Sequence, residues 1–105
     1  MNNLSDRAKL SCKLTTPELQ ERKRTVIAEL KSLVKERVEE TTGVRYKFES
    51  TDKNIDLVSS FIKTERLCCD FFVFGLDIGS DPEFMFLALS GPEGVKEFIK
   101  EEVGF

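Results

Sequence analysis

The chain contains no histidine. That absence removes the side chain that most often acts as a general base near neutral pH, activates a nucleophile or ligates a metal, so any chemistry must come from Cys, carboxylates, Lys, Arg or the single Tyr46. Tryptophan is missing as well, and Gly and Pro are few, at 6 and 3, while charged residues make up 33%. This is the profile of a globular protein rather than a disordered one. No apolar stretch approaches the roughly 20 residues that span a bilayer, and the opening "MNNLSDRAKL" lacks the charged-then-apolar layout of a secretion signal, so no membrane association and a cytosolic location are expected. A basic field is lacking too. The net charge is −3 with a pI near 5.1, and the one basic cluster, Arg22-Lys23-Arg24, is flanked by Glu18, Glu21 and Glu29. Nucleic acid is therefore disfavoured as a partner.

What is present is a chain of 105 residues with nine Phe and three Cys. The length suits one domain over 1–105 that folds without staples. In a reducing compartment an odd number of cysteines does not read as a disulfide framework.

"AKLSCKLTT" alternates, with Ala8, Leu10, Cys12 and Leu14 on one face, the period of a half-buried strand. Thr16-Pro17-Glu18 supplies an N-cap, a proline at the first helical position and an acid in the first turn, so a helix starts there. Its stripe is Leu19, Val26, Ile27, Leu30, Leu33 and Val34, and it is expected to run to about Glu40. "VRYKFES" alternates again, with Val44, Tyr46 and Phe48 inward. Thr51 or Asp52 caps a second helix, continuing to about Arg66, with Ile55, Val58, Phe61 and Ile62 inside. Phe71–Ile78 and "FMFLALS" read as a strand hairpin around the "GSDPE" turn, and Gly91-Pro92-Glu93 opens a last helix. The expected order is β-α-β-α-β-β-α, a two-layer α+β sandwich of a four-stranded mixed sheet and three helices. Phe72, Phe74 and Phe84 are placed toward the helices. Phe71, Val73, Met85, Leu87 and Leu89 then fall on the opposite face, which a homodimer would cover.

The chemistry-bearing stretch is "ERLCCDFFVF", residues 65–74. A bridge between Cys68 and Cys69 would be strained, since adjacent Cα atoms lie about 3.8 Å apart, below the 4.4–6.8 Å of relaxed disulfides. The bare pair lacks the spacing of a zinc site. It does suit a soft ion that takes two or three thiolates, such as mercury, arsenite or copper(I). Two further readings stand beside this one: a reactive thiol helped by Arg66 and Lys63 and opposed by Glu65 and Asp70, and small hydrophobes packed in a core. Cys12 lies midway along the first strand and the pair at the start of the third. With strands one to three parallel, the offset is about 10 Å at 3.3 Å per residue, which disfavours a three-thiolate site within one subunit. Gly91-Pro92-Glu93-Gly94 is a helix start rather than a phosphate loop, because Pro92 removes a donor and Glu93 repels an anion.

The stretches "SCKLTTPELQER", "ERLCCDFFVFGLDI" and "LSGPEGVKEFI" resemble a small bacterial family that often accompanies heavy-metal-resistance genes and MerR-type regulators. The most specific elements are Cys12-x-Leu14-Thr15 and Glu65-Arg66-x-Cys68-Cys69-x-Phe71. The resemblance implies handling or sensing of a thiophilic metal or metalloid by Cys68, Cys69 and, more weakly, Cys12; it implies no enzymatic activity. Glu65 and Arg66 read first as a solvated helix end, with a part in shaping the cysteine site as the alternative. Asp70 departs from the Pro or Ala common in that family and sets a negative charge beside the thiols.

Overall fold

The computed structural model describes residues 16–105. Helix α1 spans Pro17–Leu33, and the Thr16 side chain caps it by accepting a hydrogen bond from the Leu19 amide at 3.3 Å. Strand β1, Glu36–Glu40, pairs antiparallel with β2, Gly43–Glu49, across the Thr41-Thr42 turn. Helix α2, Asp52–Cys68, is capped by Thr51. Strands β3, Val73–Asp77, and β4, Phe84–Ser90, form a second hairpin, and α3, Val95–Glu102, closes the described chain. Over the described residues the order is α-β-β-α-β-β-α, with a four-stranded sheet ordered β1-β2-β4-β3 and every neighbouring pair antiparallel.

Two expectations are corrected here. The first helix ends at Leu33 rather than near Glu40, because the apolar stripe stops at Val34 and Lys35–Glu40 offers a helix only Val38 to bury. The segment gains more from pairing with β2. It becomes an edge strand, exposed at every position, whose Glu and Arg side chains discourage pairing with another chain. The sheet is antiparallel and not mixed. Helix α2 does join strands of the same direction, β2 and β3, but β4 lies between them and pairs antiparallel with both. The strand expected over Ala8–Leu14, and Cys12 with it, lies outside the described residues.

The core is built on Val44, Tyr46 and Phe48 of β2, which stand opposite Leu89, Leu87 and Met85 of β4, all fully buried. This reverses the face expected for β4. Phe74 pairs with Leu89 and Leu76 with Leu87, so Met85, Leu87 and Leu89 share the inner face with Phe74, and Phe84 and Phe86 point outward. A one-residue difference in register exchanges the faces of a strand, and Met85, Leu87 and Leu89 therefore need no partner chain to cover them. On the outer face the Arg45 guanidinium lies 4.2 Å from the Phe86 ring centroid and the Lys47 ammonium 4.2 Å from that of Phe84, so the cations of β2 shield the aromatics of β4. Val38 and Val73 remain exposed there.

The Tyr46 hydroxyl is buried without a hydrogen-bond partner among the described residues. Burial pushes its pKa up against the opposing pull of Arg37. The ring packs at 4.9 Å from that of Phe105, so the apolar part of the side chain holds the position. Tyr46→Phe is expected to leave urea-unfolding stability unchanged or raise it by about 1 kcal/mol, since removing an unsatisfied buried hydroxyl removes a desolvation cost. A loss of similar size would mean that the hydroxyl is satisfied in solution.

Candidate functional site: a buried lysine, glutamate and cysteine pair

Helix α2 buries Asn54, Val58, Phe61, Thr64, Glu65 and Cys68, a spacing of three and four that carries one stripe to the end of the helix. Its last positions on that stripe are a carboxylate and a thiol. The Cys69 amide donates to the Glu65 carbonyl at 2.6 Å, closing the last turn. Cys69 itself leaves helical geometry at φ −127°, ψ 79°. Glu65 therefore lies one turn before both cysteines on the same side of the helix.

The partner of this stripe is Lys23 on α1, which takes an inward position ahead of Val26 and Leu30. Its Nζ lies 3.4 Å from Cys68 Sγ, 3.5 Å from Glu65 Oε2 and 3.4 Å from Glu102 Oε2 at the end of α3. Cys69 Sγ lies 3.3 Å from Cys68 Sγ and 3.6 Å from Glu65 Oε1. Cys68, Cys69 and Glu65 are fully buried and Lys23 nearly so, while the Glu102 side chain reaches the rim. A pocket of about 600 Å³ opens beside the cluster, bordered by Gln20, Lys23, Arg24, Lys31 and Glu102.

Cys68 is disulfide-bonded and Cys69 is a free thiol. The expectation of fully reduced cysteines is thus corrected, while the adjacent pair is not bridged, as its geometry required. Burial, followed by the charge of Glu65, pushes the Cys69 thiol up to about 12. Burial also raises the Glu65 carboxyl, against the lowering influence of Lys23. Among the described residues, no group of three or more His, Cys, Asp or Glu side chains stands ready to hold a metal ion.

The structure brings Cys68, Cys69 and Glu65 together and leaves Arg66 and Asp70 exposed on the surface. Among the described residues the basic group beside a sulfur is Lys23, while Arg66 and Lys63 are exposed. Lys23 and Glu102 escaped the reading of the sequence. The signal for Lys23 was its place three and four residues before Val26 and Ile27, where the apolar stripe calls for a hydrophobe. Glu65 holds the matching place after Phe61 and Ile62, and two opposite charges on the inner stripes of two helices form a pair when those helices pack. Glu102 carried no comparable signal.

Comparison with protein-family models, with curated proteins and with solved structures returns no match for the chain.

Proposed function

We propose that this protein binds a soft metal or metalloid ion through the thiolates of Cys68 and Cys69, with Cys12 the weaker candidate for a third sulfur, and handles or detoxifies that ion without catalysing a reaction. The observation that carries the reading is the pair of sulfurs 3.3 Å apart beside a buried ammonium and carboxylate. Two thiolates at about 2.3 Å from one ion stand at most about 4.6 Å apart, so this separation fits two ligands of a single ion. The ligand set becomes complete only when the Cys68 disulfide is reduced, a step that takes two electrons and two protons and returns two thiols. Binding a divalent ion then releases the protons of the ligating thiols.

A thiol-exchange centre is the second reading, favoured by a free thiol lying against a disulfide-bonded sulfur. Two features weigh against it. A thiol held near 12 supplies little thiolate at neutral pH. Attack by Cys69 on Cys68 would also expel the bonded sulfur as a thiolate and create the strained bridge between neighbours. Ion binding does not need free thiolate, because a soft ion displaces the proton as it binds.

The test is native mass spectrometry of the full chain, reduced with a phosphine and titrated with Hg(II) or arsenite. One ion per chain is expected, and Cys68→Ser/Cys69→Ser should abolish it. Binding that survives in the double variant would remove the reading, and its dependence on Cys12→Ser would report the third ligand.

A further inference from the structure

The Lys23 ammonium stands where a cation would stand. Among the described residues, its Nζ meets a cysteine sulfur of α2, a carboxylate of α2 and a carboxylate of α3, all between 3.4 and 3.5 Å. These groups arrive from two different elements and converge on one nitrogen. Once the disulfide is reduced and a bound ion has displaced the thiol protons, Cys68, Cys69, Glu65 and Glu102 supply four negative charges among the described residues of the cluster. Lys23 also borders the adjoining pocket, whose volume of about 600 Å³ gives its flexible four-carbon stem room to turn outward.

We infer that Lys23 is a tethered cation occupying the place of the bound ion, and that the site selects soft divalent cations over neutral trivalent hydroxides such as arsenite. The inference rests on the ion-binding reading above and deepens it. A divalent ion that reaches the sulfurs meets the ammonium at a distance where like charges in a partly buried setting repel. Lys23 must therefore yield, and its departure is a competitive cost. The two carboxylates attract a dication and offer nothing comparable to an uncharged hydroxide. Soft, thiophilic character remains necessary, because sulfur is the donor at the inner end.

The experiment uses the reduced full chain, with Cd(II) affinity measured by competition with a chelator and arsenite affinity measured in parallel. Lys23→Gln, which keeps a polar side chain in place, and Lys23→Met are expected to bind Cd(II) at least about tenfold tighter than the wild type, with arsenite affinity unchanged. Glu102→Gln, at the rim where the fold is least sensitive, is expected to weaken Cd(II) severalfold and spare arsenite. A merely structural role for Lys23 predicts the reverse, weaker binding of both ions. Wild-type binding of Cd(II) that Lys23→Gln fails to tighten would overturn the inference, as would arsenite binding without Cd(II) binding; in both outcomes the ion-binding reading stands. Absence of binding of either ion to the wild type would overturn that reading and this one together.

Discussion

Lys23→Met is expected to lower the unfolding free energy by about 3–5 kcal/mol, the usual loss when one partner of a buried ion pair is removed. The reason lies in what remains. Glu65 is fully buried, and with the ammonium gone its carboxylate has no opposing charge paired with it among the described residues. Burial already raises the Glu65 pKa in the wild type while Lys23 works to lower it, so the substitution moves the group further upward. The sign of the pH dependence follows. A carboxyl whose folded value lies above its unfolded value leaves stability untouched below the unfolded value. Stability then falls as pH rises, and the loss is complete above the folded value. The variant should therefore recover on mild acidification, and the recovery should be larger than in the wild type. Urea unfolding across that range measures it. At about 4–8 °C per kcal/mol for a domain of this size, the thermal midpoint should drop by more than about 12 °C. Lys23→Met/Glu65→Leu should restore most of the loss, because a well-packed apolar pair often replaces a buried ion pair without penalty. A single variant as stable as the wild type at neutral pH would show that Glu65 is protonated or hydrated there.

The same pair shows how far the sequence could be read. Capping chemistry placed the start of α1 at Thr16 and that of α2 at Thr51 or Asp52, because these signals are local; the caps are Thr16 and Thr51. The β3–β4 hairpin was likewise visible from alternation and its turn. The end of α1 was not, since "KERVEE" has no strong preference of its own and takes the strand state from its pairing with β2. The β4 face also escaped: "FMFLALS" is apolar at nearly every position, so alternation cannot say which side faces the helices. Only the register with β2 decides it. At the site, the cysteine pair and Glu65 could be singled out because they are adjacent in sequence. The ammonium 45 residues upstream in sequence from Cys68 could be found only through the packing of α1 against α2. That packing sets Lys23 beside the sulfurs, while Arg66, read from the sequence as part of a solvated helix end or as a neighbour of the site, is exposed.

Register is therefore the element on which the inner face depends, and it has one point of greatest sensitivity. Gly43→Ala is expected to destabilise the fold by at least about 3 kcal/mol, the upper end of what added volume costs in a packed interior. A Cβ at position 43 would run into the Leu89 carbonyl oxygen and come within 2.7 Å of Ser90 Cα. Both obstacles are backbone of β4, so no rotamer change relieves the overlap. Relief would require β2 and β4 to separate where Gly43 faces Ser90 and Val44 faces Leu89, the end of the ladder that Gly91 continues by donating to the Thr42 carbonyl at 3.2 Å. Gly75→Ala supplies the comparison. There the new Cβ meets Ala88 Cβ at 3.4 Å, an ordinary contact on the outer face, and the gain in strand stability from Gly to Ala of about 0.5–1 kcal/mol should survive. Denaturant midpoints that move in opposite directions for the two substitutions would verify the close approach of β2 to β4. Equal behaviour would place the register elsewhere, and with it the inner faces of Val44, Tyr46 and Phe48 on which the helices rest.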